Sequence, residues 1–171
     1  MRSKSVVRLG IGMVLLVFGL DQATKWWILE SVMRPPRVLP VTPFFNLVMG
    51  WNRGVSFGMF NQDSAYNAWI FTGLALVIAA VLVVWMWRAE SRLVGIAIGL
   101  IVGGALGNAV DRVRFGAVAD FLDFHVAGYH WPAFNVADSG ITIGAVLLLA
   151  DALFSRPEKP KNKATNQASE P

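Results

Sequence analysis

Cysteine is absent from the 171 residues, which excludes a disulfide framework, a thiol nucleophile and a thiolate metal site. Histidine is scarce: His125 and His130 stand without further ligands at metal-binding spacing, so no metal and no cofactor are expected. Charge is scarce as well, at 15% of residues against 55% hydrophobic. With a mean hydropathy of +0.52, this composition excludes an ordinary soluble domain and describes a polytopic membrane protein. The net charge of +4 does not imply nucleic acid, because Lys and Arg stand between apolar spans and not along one face.

What is present is a series of apolar runs, each near the 20 residues that a bilayer-spanning helix needs. Arg2, Lys4 and Arg8 precede an uncharged run from Leu9 to Leu20. A cleaved signal peptide would begin this way, but the apolar pattern resumes after Asp21–Lys25 with Trp26, Trp27 and Ile28, so a retained span over 9–29 is expected. Further helices are expected over about 68–87, 93–110 and 139–154. Arg34-Pro35-Pro36 stops the first helix. After it, 44–48 and 55–60 read as short strands flanking Gly50–Gly54, the second alternating with a period of two, which gives a small β element at about 40–62. The expected class is an all-α membrane protein of four transmembrane helices with this β element. It forms one domain over 1–155, acts as a monomer, and carries a disordered cytoplasmic tail over 156–171.

The stretch from Gly103 to Asp138 departs from this pattern. Asp111, Asp120, Asp123 and Asp138 stand at the edges of apolar sequence, where a carboxylate needs a partner, water or a function. Gly95, Gly99, Gly103 and Gly107 recur every four residues, a spacing that admits a second helix at close range. On the neighbouring stripe Gly104, Asn108 and Arg112 follow the same interval, and packing does not explain the amide or the guanidinium. Nine basic residues (Arg2, Lys4, Arg8, Arg88, Arg92, Arg156, Lys159, Lys161, Lys163) fall on one side of the spans. Five (Arg34, Arg37, Arg53, Arg112, Arg114) fall on the other, with Lys25 at a helix end. The positive-inside rule then places both termini in the cytoplasm and gathers Asp21, Asn52, Asp111, Asp120 and Asp138 at the outer face.

Several chemistries compete for these residues. Asp21 and Lys25, at i and i+4, fit a structural ion pair, or else a contact to a substrate headgroup or backbone. A serine–lysine site would need Lys25 beside Ser56 or Ser139. Two aspartates that share one proton would make an aspartyl protease, in which the ionised carboxylate accepts a proton from water and the protonated one polarises a peptide carbonyl. Asp138 at the mouth of the fourth helix is the first candidate for that pair, unless it is only an N-cap. Spacing alone leaves its partner open among Asp111, Asp120 and Asp123. A proton-coupled carrier using interfacial carboxylates, and a membrane scaffold whose acids merely cap helices, are the non-enzyme alternatives.

Five segments, in order, carry a resemblance: Asp21-Gln22-x-Thr24-Lys25, Asn52-x-Gly54-x-x-Phe57, GGALGNAVDR over 103–112, Val118-x-Asp120-Phe121, and Phe134-Asn135-x-Ala137-Asp138-Ser139. Together they resemble the lipoprotein signal peptidase (signal peptidase II) family from about Asp21 to Asp151. The resemblance implies an aspartic endopeptidase of the bacterial cytoplasmic (inner) membrane, acting among membrane lipids. Its substrates would be diacylglyceryl-modified prolipoproteins, cut just before the lipidated cysteine. It also implies Asp120 and Asp138 as the catalytic pair, with Asn108, Arg112 and Asn135 as polar support and Asp111 orienting Arg112. Asn52 and Gly54 would border the substrate cleft, with Asp21 and Lys25 beside it. Asp123 receives no role.

Overall fold

A computed structural model of the chain describes residues 2–54 and 65–154; the expected strand over 55–60, with Phe57, and the tail after 154 lie outside them. The apolar runs form four helices: α1 (Arg2–Trp27), α2 (Ala65–Arg88), α3 (Arg92–Phe115) and α4 (Val136–Phe154). All four are long and apolar enough to cross a membrane. At 1.5 Å per residue the 24 residues of α2 reach about 36 Å, more than the hydrocarbon core of a bilayer. A π-type turn, Ile28–Val32, extends α1. Helix α3 opens at Ser91, whose hydroxyl accepts from the Val94 N–H, and closes at Gly116 in the left-handed conformation (φ 71°). It therefore runs five residues past the expected end at Val110, so that Asp111 and Arg112 stand on its last turns.

Helix α3 is the centre of the bundle. Of its span 67% is buried inside the protein, against 22% for α1 and 17% each for α2 and α4. Leu15, Val77, Val81, Val146 and Leu153 point outward from the other helices, where a bilayer would supply their apolar surroundings. The four-residue glycine stripe faces α1, which runs parallel to α3: Gly95 lies against Val6, Gly99 against Gly10, Gly103 against Val14 and Gly107 against Asp21. Gly104 of α3 faces Ala137 of α4, which runs antiparallel, and Gly144 of α4 faces Ala97 of α3. Small residues thus bring three backbones together without side chains between them. The two ends of the described bundle, Arg2 and Phe154, lie at the end opposite Asp21, Asp111 and Asp138.

The β element differs from the expectation. Its antiparallel sheet has the order β1 (Leu39–Thr42), β2 (Phe45–Asn52), β3 (Val118–Val126), β4 (Tyr129–His130). Half of it comes from the α3–α4 connection, where no strand is expected from the sequence. Gly50, Trp51 and Asn52 are not a turn but the end of β2, paired with Asp120, Ala119 and Val118. Gly50 permits that pairing: a Cβ there would stand 3.3 Å from the Asp120 carbonyl oxygen. One extra residue of β2 between Leu47 and Gly50 bulges the ladder, so the register shifts between Asp123, close to Asn46, and Asp120, opposite Gly50.

Candidate active site

A buried cation anchors the polar end of the bundle. Lys25, 3% exposed, spends its three N–H donors on Asp21 Oδ2 (2.9 Å), Asp111 Oδ2 (2.8 Å) and Asn108 Oδ1 (3.0 Å). Both carboxylates have further work. Asp21 Oδ1 accepts the Ala137 N–H at 2.9 Å, satisfying a free donor in the first turn of α4. Asp111 Oδ2 accepts the Ala119 N–H at 3.1 Å, tying α3 to β3. Gln22, part of the first resembling segment but without an expected role, reaches Asp21, Asp111 and the Gly107 carbonyl. With every donor of Lys25 engaged, the Asp21–Lys25 geometry is that of a structural pair. The direct contacts of Asp111 are to Lys25 and β3, while Arg112 Nη2 donates to the Gly54 carbonyl (3.1 Å). Lys25→Met would leave two buried carboxylates without their cation. It is expected to cost on the order of 3–5 kcal/mol, read as a lower thermal midpoint in detergent.

From Lys25 the network runs to the two candidate aspartates. Asn108 Oδ1 faces the cation, which turns its Nδ2 toward Asp138 Oδ1 at 2.8 Å. Asn135, 0% exposed, then joins both carboxylates. Its Nδ2 donates to Asp120 Oδ1 (2.7 Å), and its backbone N–H donates to Asp138 Oδ2 (3.3 Å). Its own Oδ1 accepts the Asp138 N–H at 2.9 Å. Asn135 is therefore the N-cap of α4, and Asp138 is the third helical residue, the returning arm of a capping box. Capping thus engages one oxygen of Asp138 and leaves the other on Asn108.

Asp120 reaches this point from β3. Strand side chains alternate, so Asp120 and Asp123, three residues apart, leave opposite faces of the sheet. Asp120 turns toward Asp138; Asp123 turns away, to Asn46 and His130. Burial, then the neighbouring Asp138, pushes the Asp120 carboxyl up to about 7, against hydrogen bonds from Asn52 and Asn135 and the attraction of Lys25. Asn52 also accepts the Gly54 N–H at 3.1 Å, fixing the end of β2 beside the two carboxylates.

A cavity of about 580 Å³ opens at this point, lined by Asn52, Asp120, Asp138, Ser139, Thr142 and Ile143 and by the segment from Trp131 to Phe134. Its walls are mostly apolar, and its polar groups converge on the two carboxylates. The Ser139 hydroxyl, though in the cavity, donates to the Asn135 carbonyl at 3.0 Å, and Lys25 is committed elsewhere. Ser56 lies outside the described residues. Among those described, no group of three His, Asp or Glu side chains is placed to hold a metal ion.

Comparison with known proteins identifies the family. The family described as Signal peptidase (SPase) II matches residues 13–154. A lipoprotein signal peptidase of Ralstonia nicotianae is 50% identical over 147 residues, covering 85% of this chain and 83% of that relative. One of Methylorubrum extorquens is 42% identical over 167 residues, covering 96% of each. A solved structure described as a bacterial membrane enzyme superposes with a TM-score of 0.73 at 32% identity, covering 89% of this chain and 94% of that one. A bundle of four apolar helices, two carboxylates on one cavity and a family match over most of the chain lead to one conclusion: this protein belongs to the signal peptidase II family of membrane aspartic peptidases.

Proposed function

We propose that this chain removes the signal peptide from diacylglyceryl-modified prolipoproteins, cutting just before the lipidated cysteine, with Asp120 and Asp138 as its catalytic pair. The observation that carries the reading is the joining of both carboxylates through Asn135 at the floor of an apolar cavity. With Asp120 raised to about 7, one proton resides in the pair below about pH 7. The ionised member takes a proton from water as that water attacks the peptide carbonyl. The protonated member polarises the carbonyl oxygen, and the proton taken from water passes to the leaving amine as the C–N bond breaks, which restores the pair with its single proton. Asn108 and Asn135 orient the carboxylates, and Arg112 and Gly54 hold the end of β2 beside them. A carrier has no support once the family is known.

The substrate explains the site's place in the bundle. A signal peptide is an apolar helix that must enter from lipid, while its scissile bond needs water at the membrane surface. The diacylglyceryl group stays in hydrocarbon and fixes that bond in depth. The excess of basic residues at the opposite end supports a site at the outer face of the bacterial cytoplasmic membrane, with both termini cytoplasmic. The chain is proposed to work as a monomer. Purified protein is expected to cut a diacylglyceryl-modified prolipoprotein before its cysteine. In whole cells, an impermeant thiol reagent is expected to label Asn52→Cys, as the protein has no other cysteine. Absence of cleavage would remove the enzymatic reading, and labelling only after lysis would invert the orientation.

A further inference from the structure

Asp123 has a place in the fold that the dyad does not explain. It is 6% exposed, on the face of β3 opposite Asp120. Asn46 Nδ2, from β2, donates to its Oδ2 at 2.9 Å. His130 Nδ1, from β4, lies 2.9 Å from Oδ1 and 3.0 Å from Oδ2. Burial of Asp123 is outweighed by these two side chains and by the histidine charges, which hold its carboxyl below the usual range. An ionised carboxylate only accepts, so the proton on His130 is assigned to Nδ1. Among the described residues His125 stacks on the His130 ring, with centroids 4.8 Å apart, as a second titratable group beside it; Asn46 and Phe45 on β2 carry no charge.

The position of His130 gives this cluster a consequence. It is the last residue of β4 and directly precedes the cavity wall, Trp131 to Phe134. Backbone bonds hold the wall at its two ends, from Trp131 N–H to the Phe124 carbonyl (2.7 Å) and from Phe134 N–H to the Leu122 carbonyl (3.1 Å). Between them Pro132 has no N–H to offer. Strand β4 is two residues long, and both are exposed, so its ladder alone holds it weakly. The side-chain tie across three strands supplies what the ladder lacks.

We propose that Asp123 and His130, clasped with Asn46, are positioning residues for the substrate: they set the wall from Trp131 to Phe134 against the signal peptide, and so govern its affinity without entering the chemical step. The proposal rests on the peptidase reading. Kinetics on a diacylglyceryl-modified prolipoprotein test it, beside amide hydrogen exchange of the protein without substrate. Asp123→Ala and His130→Leu are expected to raise KM about five- to tenfold with kcat within about twofold. The double variant should be no worse than either single one. His130→Asn, whose amide N–H takes the place of Nδ1–H, should return KM to near the wild-type value; a role in packing alone would not be rescued this way. The amides of Trp131 and Phe134 should exchange faster in Asp123→Ala. A loss of kcat at constant KM would overturn the proposal, as would unchanged KM and unchanged exchange in folded Asp123→Ala. If the wild-type protein cut no such substrate, the peptidase reading would fall, and the exchange arm would still decide whether the clasp sets the wall.

Discussion

Asp120→Asn and Asp138→Asn are each expected to lower kcat by about 10⁴-fold or more while leaving the bundle folded. The amide keeps the shape of the carboxyl group and can still accept from Asn135 or Asn108, but it can neither take the proton that water must lose nor return it. The double variant should be no slower than either single one, since members of one catalytic unit do not contribute independently. Asp123→Asn, on the other face of β3, should retain most activity, because its amide oxygen can still accept from His130. Two further measurements separate lost chemistry from lost structure. In the wild type, raising the Asp120 carboxyl from 3.8 to about 7 makes its ionisation in the native state cost on the order of 4 kcal/mol. A raised carboxyl imposes no such cost below the unfolded value of 3.8. The cost grows as pH rises toward 7 and is constant above it. Asp120→Asn should therefore melt higher than wild type at pH 8, and the two should converge near pH 4. Over the same range wild-type kcat/KM should follow a bell, with an alkaline limb near 7 that belongs to the pair. An active, folded Asp138→Asn protein would remove the dyad altogether.

How much of this was legible in the sequence depends on whether the signal was local. The helices were, since an apolar run of bilayer length carries its own explanation, and so was the Asp21–Lys25 pair at i and i+4. The sheet was not. Strand β3 pairs with β2 from about seventy residues earlier in the chain, and its partner is not visible from the residues of Val118–Val126 themselves. Spacing alone leaves Asp120 and Asp123 open, and only the resemblance names Asp120. The two point to opposite faces only once the segment is a strand, and its alternating Val, Phe and Leu residues were a signal that could have been used. Asn135-x-x-Asp138 likewise holds the spacing of a capping box, which makes Asn135 the cap and frees part of Asp138 for chemistry. The third partner of Lys25 was out of reach: Asp111 lies 86 residues away, and only the close approach of α1 and α3 brings it to 2.8 Å.

That approach is where substitution is expected to do most damage to the fold. Gly103→Leu should prevent recovery of a folded bundle, whereas Gly12→Leu should leave it intact. A Cβ at Gly103 would stand 2.8 Å from the Val14 carbonyl oxygen and 3.0 Å from Val17 Cβ. The first of these is backbone and cannot rotate away, so α1 must move off α3, separating the residues that bind Lys25. At Gly12 nothing lies within 4 Å, and leucine there gains up to about 0.5–1 kcal/mol of helix propensity. Because the leucine variant of Gly103 can fail to fold outright, Gly103→Ala gives the graded test and should lower the thermal midpoint where Gly12→Ala raises it. Two neighbouring glycines should differ in how stability and activity respond. Gly107 faces the Asp21 carboxylate, so Gly107→Leu strikes the Lys25 network and should abolish folding and turnover together. Gly104 faces the Ala137 carbonyl, one residue from Asp138. Gly104→Ala should push the start of α4, and with it Asp138, away from Asp120, lowering kcat more than its thermal midpoint would suggest. Equal midpoints for the Gly12 and Gly103 variants would mean that α1 and α3 do not meet along this stripe, and the buried lysine would lose its explanation.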